Sequence, residues 1–167
     1  MANVTSSTIG VSLSDSSTTQ LFALGTKVHG TDGTVWQYVE ATSTFTTGQL
    51  VLVNAASTAK NFTTALLAAP SVNGLDIGAA QFTVSQGEFA FVAKTGENLY
   101  VLCTGTIAAG TGVALGANGR LQAMAAAAAG GTMAGIHITT SASTATASVA
   151  VATFTYPRGL LTAGYIA

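Results

Sequence analysis

The sequence predicts an all-β fold, a sandwich or barrel of about ten short strands, and three observations carry that prediction. A segment occurs twice: residues 38–51 read YVEATSTFTTGQLV and residues 100–113 read YVLCTGTIAAGTGV, aligned without a gap. Tyr38/Tyr100, Val39/Val101, Thr42/Thr104, Thr44/Thr106, Gly48/Gly110 and Val51/Val113 match, and Phe45 stands against Ile107. Each copy holds an apolar strand, a Thr-rich turn with Gly, and a second apolar strand. Elsewhere the apolar runs are also short, and Gly, Asn or Ser separates nearly all of them, the spacing of a sandwich or barrel. Charged residues make up 7% of the chain and hydrophobic ones 49%, against about a quarter charged in ordinary soluble domains. So few charges point to surface that a second layer or a partner removes from water.

In chain order, residues 1–20 are rich in Ser and Thr, with Ile9, Val11 and Leu13 alternating with polar or small neighbours. That alternation is strand periodicity and predicts an extended N-terminal arm that orders against a partner. The β domain follows at 21–156, in repeat halves 21–84 and 85–156, with a C-terminal tail at 157–167. Strands are expected at 22–30, 34–41, 49–54, 75–84, 88–95, 98–104, 112–116, 119–124, 133–140 and 147–156. Thr31-Asp32-Gly33 and Asn118-Gly119 are the firmest hairpin signals, because Gly accepts positive φ without steric cost. TALLAA at 64–69 predicts one helical turn, ended by Pro70. The alanine run 125–129 precedes Gly130-Gly131 and reads as a loop or a single turn.

Several strands are apolar on both faces. Leu99, Val101 and Cys103 point one way and Tyr100 and Leu102 the other; Leu50 and Leu52 oppose Val51 and Val53; Phe89 and Phe91 oppose Ala90 and Val92. A sheet with one face in water would alternate apolar with polar. One face therefore fills the core, and the other meets a second layer or another subunit. The candidate interface residues are Ile9, Val11, Leu13, Phe89, Phe91, Tyr100 and Leu102.

No catalytic, cofactor or metal site is marked. His29 and His137 are the only imidazoles, and no Gly-x-Ser-x-Gly elbow accompanies them. Cys103, alone and inside an apolar strand, reads as a small buried hydrophobe and excludes an internal disulfide. GTGVALG at 110–116 leads into a strand and a hairpin, so it is a turn and not a phosphate loop. Asp76 reads as a charge guarding an edge strand, Glu88 as a solvated residue, and Lys94 with Glu97 as a weak surface pair. The five Lys and Arg residues are scattered, so no nucleic-acid partner is expected. No membrane is expected either. A spanning helix needs about 20 apolar residues, and the nearest candidate, 122–136, is broken by Gly130-Gly131. The N-terminus lacks the basic and apolar regions of a secretory signal. Trp36, Tyr38 and Phe45 lie close together in the first copy; they would pack in a β core or stack on sugar in a glycan-binding protein.

The segments LGTKVHGTDGTVWQYVEA, QFTVSQGEFAFVAKTGENLYVL and TIAAGTGVALGANGRL resemble, in phrasing and order, the head decoration or capsid cement proteins of tailed bacteriophages. The resemblance spans the β domain, residues 21–156. It implies a virion structural protein on the outer surface of an icosahedral head, a homotrimer that binds the major capsid protein and clamps adjacent capsomers. It implies no catalytic residue and no cofactor. A receptor- or glycan-binding head fibre or tail component is the second reading, motivated by the aromatics near Trp36 and the Ser/Thr-rich loops. A hydrolase of a surface polymer using His29 or His137 is the third.

Overall fold

The computed structural model describes residues 12–63, 76–124, 132–142 and 148–160. Ile9, Val11 and the turns expected at 64–69 and 125–129 lie outside the described residues. The strands are β1 (Lys27–His29), β2 (Val35–Ala41), β3 (Leu50–Val53), β4 (Thr58–Asn61), β5 (Asp76–Ala79), β6 (Phe89–Cys103), β7 (Val113–Leu115), β8 (Leu121–Ala123), β9 (Thr132–Thr140) and β10 (Ser148–Leu160). The fold is all-β, as the strand pattern predicts. Among the described residues no helix is long and apolar enough to cross a membrane.

The strand pairing closes on itself twice. β2 pairs with β6, β6 with β5, β5 with β3, β3 with β4, and β4 returns to β2 as a parallel neighbour. Likewise β6 pairs with β10, β10 with β9, β9 with β7, β7 with β8, and β8 returns parallel to β6. Two five-stranded barrels therefore share β6. Its first half, Phe89 to Thr95, faces β2 in barrel 1; its second half, Gly96 to Cys103, faces β10 in barrel 2. Ring closure removes the unpaired edges that invite aggregation. The registers repeat as well. Ala41 opposes Ala59 and Cys103 opposes Leu121; Val53 opposes Ala59 and Leu115 opposes Leu121. Each second pair is the first carried forward by the spacing that separates Tyr38 from Tyr100.

The two interiors use the same positions. Val39, Ala41, Phe45, Val51, Val53 and Ala59 fill barrel 1; Val101, Cys103, Ile107, Val113, Leu115 and Leu121 fill barrel 2. Volume is redistributed within this frame. Barrel 1 sets a large Phe45 with a small Ala59, and barrel 2 sets Ile107 with Leu121, the kind of volume-conserving exchange a core tolerates. Each fully buried Val, Leu, Ile or Phe side chain contributes roughly 1.5–3 kcal/mol.

The strand expected at 22–30 forms only at Lys27–His29 and that at 75–84 only at Asp76–Ala79, and two further elements depart from the sequence pattern. β4, TAKN, has an exposed Lys60 and too little apolar alternation to be seen. Its hairpin turns at Ser57, held at φ 58, while the counterpart in barrel 2 turns at Asn118 and Gly119, at φ 55 and 68. The strands expected at 88–95 and 98–104 are one strand, β6. Lys94 to Asn98 read as a turn, yet the chain continues through Gly96 (φ 139) and Asn98 (φ 57). There it exchanges its β2 partner for β10, and pairing on both sides outweighs the local polar composition. A side chain at Gly96 would collide with Thr34.

Candidate functional site

The repeated turn occurs three times. Thr44–Gly48, Thr83–Gly87 and Thr106–Gly110 share a Thr, an apolar residue, two linking residues and a glycine at φ 80, 85 and 78. In each the backbone closes the same way, with Gln49 N–H on Thr46 O (3.0 Å), Glu88 N–H on Ser85 O (3.1 Å) and Thr111 N–H on Ala108 O (3.3 Å). The middle copy escapes the two-copy alignment because it keeps only the Thr-apolar-x-x-Gly skeleton, which was the available signal. The apolar residue of each outer copy turns inward and plugs its barrel. Phe45 bridges Val84, and Ile107 bridges Ala142.

One of these turns locks the barrels together. Gly48 O accepts from Leu102 N–H at 2.6 Å, and the Gln49 side-chain amide donates to Asn118 O at 2.6 Å. A Cβ on Gly48 would lie 2.7 Å from Leu102 N and 2.9 Å from the Val101 carbonyl carbon, so only glycine fits. Gln81 completes the joint. Its amide donates to Tyr100 O (3.1 Å) and accepts from Tyr100 N–H (2.8 Å), satisfying that strand as a neighbouring strand would.

The outward faces of the barrels differ. On barrel 1 the N-terminal segment 12–26 covers Tyr38, Phe89 and Phe91. Leu13 is 2% exposed. Ser17 exchanges backbone bonds with Phe89 (3.0 and 2.8 Å), and Gly25 and Thr26 do so with Tyr38 (2.9 and 2.8 Å). Leu21 N–H donates to the Tyr38 hydroxyl, and the Phe22 ring meets Tyr38 edge-on at 5.2 Å. The arm's described part therefore docks on its own chain, which corrects the expectation of a partner there. Leu13 and Phe91 are core residues, and Phe89 is half-buried against Tyr38. Tyr100 and Leu102 do face outward on barrel 2, half-buried, with Val151 and Val149 directly opposite them. Val149 is 47% exposed. Sequence reasoning missed Val149 and Val151; the alternating run of β10 was their signal.

The titratable groups serve structure. Cys103 is buried inside barrel 2, and desolvation pushes its thiol up to about 11. Lys94 is buried and lies 3.8 Å from Asp76, not paired with Glu97 as the sequence suggested. Burial pushes its pKa down to about 8, against the attraction of Asp76. Asp76 sits on β5, flanked by β3 and β6, so it guards no edge. Glu88 is more than a solvated charge. It accepts from Ser85 N–H and from Ser16 Oγ, both at 2.8 Å, fastening the arm to the middle turn. Those bonds hold its carboxyl below the ordinary value. His29 and His137 are exposed, on β1 and β9. Among the described residues no three His, Cys, Asp or Glu come together to hold a metal. Trp36, Tyr38 and Phe45 are all buried. No protein-family model matches the chain, and no curated protein matches its sequence.

Proposed function

We propose that this chain is a cement protein of a tailed-phage virion. It binds the outer surface of the head through the major capsid protein and stabilises capsomer contacts as a homotrimer. The observation that carries the reading is the outward apolar ribbon of Tyr100, Leu102, Val149 and Val151 on an otherwise closed double barrel. Cement acts through area and geometry, and paired barrels offer stiff surface with little side-chain entropy to lose. Low charge also limits repulsion between many copies on one shell. The glycan-binding reading loses its aromatic motivation with the burial of Trp36, Tyr38 and Phe45. The hydrolase reading finds its two histidines on separate barrels.

The test is sedimentation of purified protein with heads that lack it. Saturable co-sedimentation is expected; protein that stays in the supernatant at every ratio overturns the reading. The arm is tested by deleting residues 2–11 only. A cut at residue 20 would also remove Leu13, Ser16 and Ser17, which belong to the cover of barrel 1.

A further inference from the structure

We propose that the outward face of barrel 2, centred on Leu102, Val149 and Val151, is the surface through which copies of this chain hold one another. The proposal rests on the cement reading for its setting and narrows it to one face.

The duplication supplies an internal control. Tyr38 opposes Phe91 and Glu40 opposes Phe89 on barrel 1; Tyr100 opposes Val151 and Leu102 opposes Val149 on barrel 2. These are the same positions on the same side of equivalent strand pairs. On barrel 1 the face is buried by segment 12–26 of this chain, through Leu13, Ser17 and Phe22. On barrel 2 it keeps Val149 at 47% exposure.

Composition runs against that exposure. On this face barrel 1 carries Glu40 opposite Phe89, and barrel 2 carries Leu102 at the corresponding place opposite Val149. An open face that belonged in water would hold the charge and leave the apolar residue to the covered copy. That charge is instead missing from the copy that stands open. Such a face is suited to burial.

The occupant is a second copy. Apolar and β-branched side chains with no charge among them can meet their own kind about a symmetry axis without like-charge repulsion. They offer nothing to select a charged partner. Barrel 1 already shows that apolar side chains of this chain, Leu13 and Phe22, fill a face of this class.

The experiment is the mass of the purified protein in solution, without capsids. Wild type is expected as a multiple of 16.5 kDa, the multiple reading whether two or three copies share the axis. Leu102→Glu places on barrel 2 the residue that barrel 1 carries at Glu40, and should weaken association about 100-fold with an unchanged circular dichroism spectrum. Val149→Asp, at a more exposed position, repeats the test should the first variant fold poorly. Leu21→Asp, 64% exposed on the N-terminal segment, should keep the wild-type mass. Monomeric wild type at high micromolar concentration overturns the proposal, as does an oligomer that survives both face variants or is lost equally in Leu21→Asp. Self-association without head binding would sink the cement reading and leave this one standing.

Discussion

Barrel 1 and barrel 2 share strand order, register and interior, and differ almost wholly on their outsides. Inside, Val39 and Val101, or Val51 and Val113, are the same residue in the same place. Outside, Trp36 corresponds to Asn98, Glu40 to Leu102 and Lys60 to Gln122. Closure of a five-stranded ring dictates what fits within it, because interiors pack at near-crystalline density. Nothing in closure dictates the exterior, which follows what lies against it. Barrel 1 is wrapped by the N-terminal segment and abuts barrel 2. Barrel 2 receives the Gly48 turn and Gln81 of barrel 1 on β6 and Gln49 on its Asn118 turn, and turns Val149 outward. A duplicated fold thus separates the residues that make a barrel from those that make a contact.

The two barrels should respond most differently at the paired glycines. Gly48 and Gly110 have nearly the same φ, 80 and 78. Around Gly48 stand Leu102 N and Val101; around Gly110 a Cβ would meet nothing within 4 Å. Alanine at either position bears the cost of left-handed backbone, about 1–2 kcal/mol. Only Gly48→Ala also drives a methyl group into the neighbouring barrel and displaces the carbonyl that Leu102 N–H donates to. We expect Gly110→Ala to lose about 1–2 kcal/mol in urea denaturation, and Gly48→Ala roughly 2–3 kcal/mol more. Equal losses would show that the turn contributes nothing to holding the barrels together.

That joint was invisible in the sequence, and the reason is physical. Gly48 and Gly110 were legible as turn glycines because a turn is a local event, and the strands around them followed from alternation and spacing. What Gly48 touches depends on the fold of residues far along the chain. β4 shows the same limit on a smaller scale. Ala-Ala-Ser is a poor turn signal, but the spacing from Tyr38 to Tyr100, applied backwards from Asn118-Gly119, lands on Ala56-Ser57 and would have found it. The candidate interface was legible by half. Alternation identified strands apolar on both faces but could not say which second face the chain covers itself. Phe91 and Tyr100 look alike in sequence, and only the position of segment 12–26 separates them.

A second contrast lies in the ionisable group each barrel buries. Barrel 1 holds Lys94, pushed down to about 8; barrel 2 holds Cys103, pushed up to about 11. The signs oppose. Lys94 in the folded chain gives up its proton near pH 8 while the unfolded lysine keeps it to its ordinary value, so stability rises with pH between them. Cys103 keeps its proton when folded while the unfolded thiol loses it near its ordinary value of 9.0, so stability falls from there to about 11. Removing one group should expose the other. Cys103→Ala is expected to gain about 1–3 kcal/mol between pH 8 and 10, and Lys94→Met to lose a similar amount between pH 9 and 11. Denaturant midpoints across that range measure both. Curves that stay parallel to wild type would mean that neither burial is felt.

The smallest effect expected concerns the two polar residues that close the turns of barrel 1. Gln49 Oε1 accepts from Thr46 N–H at 2.9 Å; Glu88 Oε2 accepts from Ser85 N–H at 2.8 Å and also takes the Ser16 hydroxyl. Gln49 shows that a neutral amide suffices for the turn. The charge on Glu88 therefore matters chiefly to the arm. Its carboxyl is held below the ordinary value by Ser85 and Ser16. That contribution is complete above the unfolded pKa and disappears as pH falls through the folded one. Glu88→Gln should leave global stability at neutral pH unchanged and make the arm insensitive to acid. The readout is hydrogen exchange at Ser17 and Phe89, whose amides bond to one another's carbonyls. At neutrality Glu88→Gln should exchange several-fold faster than the wild type at the same pH, and the two should converge in acid as Glu88 is protonated. Identical exchange at both pH values would leave the arm resting on Leu13 and the backbone bridge alone.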